Sequence, residues 1–266
     1  MTRKETALNA LHGERTDRLP VAILSGGVWM FKRRGMSIGE SVRVAPSLAA
    51  EIVAETYKEI GSDILWTGSG CNNLVIKALG GKVNSDEIGV APEVEEPLIK
   101  KADEVDRLDI SRIMNDDSIG QMQETARILV ENCGDDFLIG CGQWGPFTLA
   151  GQLLGIRMLM RLMIKDPPAL EYILEFTREV CLKYWQLFIE VGVGLVRMSE
   201  MSASGDLLSK KLFEQFVLPS DTWLMNAISG KVSATELVSN QKVKVENNKF
   251  YVNIPAQRTQ VIHITK

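Results

Sequence analysis

What most limits the fold of this 266-residue chain is one repeated unit: a short apolar run, a glycine-rich or polar loop, then a helix-like stretch. The runs are residues 21–24 (Val-Ala-Ile-Leu), 63–66 (Asp-Ile-Leu-Trp), 137–142 (Phe-Leu-Ile-Gly-Cys-Gly) and 194–198 (Gly-Leu-Val-Arg-Met). Each is too short for a buried helix and has the continuous apolar character of a strand covered on both faces. The stretches between them carry helical periodicity. In residues 46–60, Leu48, Ile52, Val53, Thr56 and Ile60 share a face, and Gly61 stands where a helix stops. Residues 3–12 and 118–132 also read as helices, and residues 81–100 as a loop or hairpin excursion. Asp166-Pro167-Pro168 is a strong helix start, with a stripe running from Leu170 through Ile173, Thr177, Cys181 and Tyr184 to Phe188. A further helix is predicted over 209–218, limited by Pro219. Strands alternating with helices predict a parallel sheet whose C-terminal loops carry the chemistry, as in a βα barrel.

The pattern stops near residue 220. Lys242-Val243-Lys244-Val245-Glu246 alternates with period two, Asn247-Asn248 marks a turn, and residues 249–255 and 260–264 alternate again. The expected fold is therefore α/β: an incomplete (β/α) TIM barrel over residues 1–220 with a small C-terminal antiparallel β segment, a meander, over residues 221–266. Four strands instead of eight leave two open edges, which predicts self-association. A net charge of −4 argues against nucleic acid or an anionic membrane as partner. No apolar run is long enough to span a membrane. The four cysteines are scattered and no leader is visible, so reduced thiols in a cytoplasmic protein are expected.

Four ordered stretches resemble the uroporphyrinogen decarboxylase superfamily. They are Gly61-Ser62-Asp63-Ile64-Leu65 with Lys77-Ala78-Leu79-Gly80, then Glu95-Glu96-Pro97-Leu98, then Gly142-Gln143-Trp144-Gly145-Pro146-Phe147-Thr148-Leu149-Ala150, and last Ser202-Ala203-Ser204-Gly205-Asp206-Leu207 with Phe213-Glu214-Gln215-Phe216-Val217-Leu218-Pro219. The last stretch is most similar to the corrinoid-dependent methyltransferases of that superfamily. The resemblance covers about residues 1–220 and implies a βα barrel. It also implies a tetrapyrrole or corrinoid ligand, in relatives possibly on a corrinoid protein, and methyl transfer to a thiol. The alternatives are tetrapyrrole carboxylate decarboxylation, a lyase reaction, and a non-catalytic, truncated or chimeric barrel fragment. Residues 221–266 resemble the C-terminal β domain of α-amylase-type glycoside hydrolases, through Asn247 to Ile264 and the Ile254-Pro255-Ala256 step.

Each candidate residue has an ordinary reading beside the functional one. Asp63 resembles the catalytic aspartate aimed at pyrrole N–H groups, or it caps a helix or starts a strand. Lys32, Arg33 and Arg34 occupy the place of the decarboxylases' carboxylate-binding arginines without their spacing, or form a solvated face. Trp144 and Phe147 could wall a flat macrocycle or pack beneath the loop. Ser204 and Asp206 could hydrogen-bond a ligand, or Asp206 could cap the helix at Ser209. Family relatives use zinc and a corrinoid. The zinc-binding His-x-Cys of the methyltransferases is missing, because the two histidines are His12 and His263. No metal ligand is assigned, no cofactor site is visible, and impaired thiol transfer is expected. Gly68-x-Gly70 lacks the third glycine of a dinucleotide fingerprint and is rejected as one.

Overall fold

The computed structural model of the chain describes residues 1–23 and 26–229, and the backbone of 233–236, 244–246, 249–251 and 260–265. The centre is a parallel sheet of three strands, β1 (Ile64–Thr67), β2 (Leu138–Trp144) and β3 (Leu195–Ser199), with β2 in the middle. Trp66 pairs with Gly140 and Gly142 with Arg197, so these four share one face.

That face exists in this form because two β2 residues lack side chains. The Trp66 ring lies where a Cβ on Gly140 would be, and the Arg197 guanidinium lies against the bare Gly142. Arg197 then stacks over the indole at 5.3 Å from its centroid. Trp66 is almost wholly buried, and Leu65, Leu138, Cys141 and Leu195 complete a dry sheet.

Helices precede each strand as the periodicity predicts. Helix α1 (Arg3–Leu11) carries a Thr2/Glu5 capping box. Helix α2 (Gly27–Lys32) follows the unassigned segment after residue 12. Helix α3 (Pro46–Ile60) ends on Gly61 at φ 73°, a left-handed stop that turns the chain directly into β1. Helix α4 (Asp117–Cys133) is capped by the Asp116 carboxylate, which accepts from the Ile119 N–H, and leads into β2. Beyond β2 come α5 (Pro146–Leu154), α6 (Ile156–Lys165) and α7 (Pro167–Glu190), the last capped by Asp166 as expected. Helix α3 packs on α4, and α4 and α7 lie against the sheet. Among the described residues no single helix is long and apolar enough to cross a membrane; α5 and α6 reach that only as a pair bent by 110°.

Three expectations need correction. Of the strand predicted over 21–24, the described residues 21–23 are not part of the sheet. Val21 is 41% exposed, and its backbone N–H and C=O are taken up by Asp63, while residues 24 and 25 lie outside the described residues. Pro219 does not end a helix. The Phe213–Val217 turn widens to a π-helical one, with the Leu218 N–H bonded to the Phe213 carbonyl. The wider turn relieves the usual clash of a proline ring with the preceding turn, so α8 (Leu218–Ser229) continues through it. Third, the tail is not a separate meander. Strands β5 (Lys244–Glu246) and β6 (Lys249–Tyr251) form a hairpin around the predicted turn, whose Asn247 and Asn248 lie outside the described residues. Strand β7 (Gln260–Thr265), however, pairs antiparallel with β3, and β4 (Ser233–Glu236) pairs with β7. The tail therefore covers the β3 edge that the strand count left open. The excursion at 81–100 does contain a hairpin, Val83–Asn84 against Glu93–Val94.

Substituting Gly140→Ala drives a methyl group into the Trp66 ring. Overpacking of this kind costs about 1–3 kcal/mol, measurable as a lower urea midpoint with an unchanged slope. A midpoint equal to that of the unsubstituted chain would show that the ring does not rest on the bare glycine.

Candidate functional site

The C-terminal ends of β1, β2 and β3 open on one side, and the loops there form a mouth. After β1, the Ser69 hydroxyl accepts from the N–H groups of Gly26 and Gly27 at 3.1 and 3.2 Å, tying the start of α2 to the mouth. Gly27 has no room for a side chain, because its Cβ would overlap the Ser69 carbonyl. At the end of β2, the half-buried Trp144 donates its indole N–H to Asn73 Oδ1 at 2.8 Å. Asn73 Nδ2 in turn donates to the Pro92 carbonyl at 2.9 Å, so the indole is oriented through two loops. The Cys181 thiol donates to the Trp144 carbonyl from α7 at 3.4 Å.

After β3, Glu200 folds back over Gly145, where any Cβ would collide with its carboxylate. Its two oxygens accept from the Phe147 N–H at 2.9 Å and the Thr148 N–H at 2.7 Å, at the start of α5. Thr148 Oγ1 accepts from the Ser202 N–H at 3.1 Å, closing the link between the β2 and β3 loops. Asp221 on α8, 2% exposed, lies against the same Glu200 carboxylate.

Of the predicted site residues, Trp144, Ser204 and Asp206 stand at the mouth. Asp206 is exposed, and Ser209 rather than Asp206 caps the following turn. The Ser204 carbonyl accepts from Leu207 and Leu208. Phe147 is a correction: fully buried, it packs beneath the loop because its backbone is held down by Glu200. Arg33 and Arg34 are a second. They pair with Glu59 and Glu55 on α3, Arg33 also lying over Trp29, and so they face the helical layer and not the mouth. Lys32 is exposed and lies beside Gly89.

Asp63 is the third and largest correction. It precedes β1 and so lies at the opposite end of the sheet from the mouth. Its buried carboxylate takes both guanidinium nitrogens of Arg18 and the Val21 N–H at 2.7 Å. Burial pushes this carboxyl up, but Arg18, the Val21 N–H and the more distant Arg3 outweigh it and hold the group below the usual carboxylate range. Asp63 is thus a clamp between the N-terminal segment and β1.

The sequence reading passed over Arg197, Glu200 and Asp221. A charge inside an otherwise apolar strand run was the available signal for Arg197, whose pKa burial lowers. No local signal marks the other two.

The thiols are poor metal donors. All four are buried, and burial pushes Cys71 and Cys141 up to about 12 and Cys181 well above the ordinary thiol value. Among the described residues no three His, Cys, Asp or Glu side chains converge as metal ligands.

Residues 2–245 match the Uroporphyrinogen decarboxylase (URO-D) family. The chain belongs to that family. Its fold class is the TIM barrel, which agrees with the parallel α/β sheet and the mouth at the strand C-termini. Two similar curated proteins are methylcobamide:CoM methyltransferases MtaA. The one from Methanosarcina barkeri strain Fusaro is 26% identical over 219 residues, and the other M. barkeri protein 27% over 223. A uroporphyrinogen decarboxylase of Geotalea daltonii is 25% identical over 240 residues, 84% of this chain and 66% of that protein. A solved methyltransferase from Methanosarcina mazei superposes with a TM-score of 0.74 at 24% identity, covering 86% of this chain and 67% of that one. Each MtaA alignment takes in 81% of this chain, which spans 63% of the length of those relatives.

The Asp63 clamp gives this URO-D family member an acid-sensitive end. A lowered carboxyl pKa contributes stability that is present above the unfolded value of about 3.9 and is lost as pH falls through the folded value. Arg18→Ala should lower the melting temperature at neutral pH, and the gap to the unsubstituted chain should shrink as pH falls below about 4. A gap constant with pH would contradict the clamp.

Proposed function

We propose that this chain is the corrinoid-facing part of a methyl-transfer barrel, built to present a corrinoid at the mouth for transfer of its methyl group to a thiol, and impaired in that transfer. The observation that carries the reading is the partly buried Trp144 indole, an aromatic ring held in place at the strand C-termini by Asn73. The names of the MtaA relatives point the same way. Decarboxylation is less well supported. Its carboxylate-binding cations would be Arg33 and Arg34, and these are engaged by Glu59 and Glu55. The aspartate offered for it, Asp63, stands at the far end of the sheet.

Zinc, where relatives hold it, supplies an activated thiolate at neutral pH. The described residues do not fit that ion, because their thiols are scattered and buried and no three candidate ligands converge among them. We therefore assign no thiol-activating step to them. Within this reading residues 1–220 are the barrel part, which α8 carries on to Ser229 in place of the expected break, and the strands after it are a β addition of other origin; the protein is cytoplasmic, and a corrinoid protein or a second copy is its partner.

The test is a spectrophotometric titration with hydroxocobalamin and with uroporphyrinogen. Cobalamin should bind the more tightly, and Trp144→Ala should weaken it about tenfold, the worth of one aromatic stacking contact. Asp63→Asn should leave that affinity unchanged. Tighter binding of uroporphyrinogen would favour the decarboxylase reading. In the same preparation, one tightly held zinc per chain, or zinc-dependent demethylation of methylcobalamin by an added thiol, would overturn the assignment of impaired transfer.

A further inference from the structure

The mouth is held together by a carboxyl pair that neither the family match nor the proposed ligand explains. Glu200 extends from the end of β3 and Asp221 from the first turn of α8, and their carboxyl groups meet beneath the mouth, Asp221 buried and Glu200 partly so. Both Glu200 oxygens already accept from α5 N–H groups, bonds that favour its ionised form, so a proton shared by the pair belongs on Asp221. Asp221 lies against that carboxylate, and its Oδ1 is buried without a hydrogen-bond partner. Two bare carboxylates in such contact would repel, and a carboxylate with an empty oxygen is costly to bury. A neutral carboxylic acid removes both objections, because its O–H donates to Glu200.

We propose that Asp221 and Glu200 hold one proton between them, carried on Asp221, and that this proton fastens α8 to the mouth as a proton-sensitive latch. Three segments meet at the latch: the β2 loop through Gly145 and α5, the β3 loop through Glu200 and Ser202, and α8, which also lies beside β6. Among the described residues no cation is paired with the two acids. From α7 comes the Cys181 thiol, kept neutral by burial and by the two acids. Arg178 on the same helix lies over the Trp223 ring, 4.5 Å from its centroid. Helix α5 contributes the Thr148 hydroxyl and backbone N–H groups. Burial first, and Glu200 second, push the Asp221 carboxyl well above its ordinary value, which accords with the geometry. A raised folded value means that the stabilising contribution is complete below the unfolded pKa of about 3.9 and is lost as pH rises through the folded value.

Asp221→Asn tests this directly, since the amide keeps a donor toward Glu200 but cannot ionise. In urea unfolding of the full chain, the unsubstituted midpoint should fall as pH rises from about 5 to about 9, with that slope flattened in Asp221→Asn, which overtakes the original at the alkaline end. Identical slopes, or an amide variant less stable at every pH, would overturn the latch. A second readout does not depend on the variant folding. The infrared spectrum of the unsubstituted chain at neutral pH should show the C=O stretch of a protonated carboxylic acid, shifting in D2O. Its absence would overturn the proposal.

Discussion

Strand β2 is the constraint on which the rest of the molecule depends. It pairs in parallel with β1 on one side and β3 on the other, so the direction of β2 decides which loops meet. It also carries glycine at 140 and 142, and those two missing side chains let Trp66 and Arg197 lie across the sheet from its neighbours. At its C-terminal end Gly145 is bare for the same reason, which lets the Glu200 carboxylate reach the start of α5. Close approach in the middle and at the mouth thus comes from one strand.

The mouth that results is ordered by hydrogen bonds between segments far apart in sequence. Asn73 orients Trp144 across 71 residues, and Glu200 reaches Phe147 and Thr148 across 53 and 52. Charge-assisted bonds of a buried carboxylate to backbone N–H groups are among the stronger polar contacts a protein makes. The opposite end of the sheet is closed by a comparable device, Arg18 and Val21 on Asp63. Two carboxylates, one at each end, therefore set the loops that the sheet itself leaves unpaired. One is matched by a guanidinium and the other by a neutral partner.

Much of this was legible beforehand, and the failures have physical causes. Periodicity located the helices around Leu48 to Ile60 and Leu170 to Phe188, and the apolar runs located β1, β2 and β3, because both signals are local. Asp63 starts β1, the ordinary one of its two readings, and chain direction alone decides that, since a residue that enters a strand cannot stand where the strand leaves. Pro219 was read by a rule for regular helices, and a π-helical turn lifts the clash on which that rule depends. Strand β7 was recognisable from its alternation, yet alternation does not name a partner, and β3 took it. Glu200 and Asp221 had no sequence signal, because their meaning lies only in each other and in N–H groups over 50 residues away.

The central claim is that ligand chemistry belongs to the mouth and that the Asp63 end is structural. Hydrogen–deuterium exchange of the chain with and without hydroxocobalamin tests it most directly. The account predicts added protection in residues 68–74, 143–148 and 200–208, and none in residues 18–21 or 61–63. Protection concentrated around Arg18 and Asp63, with the three mouth loops unchanged, would contradict it.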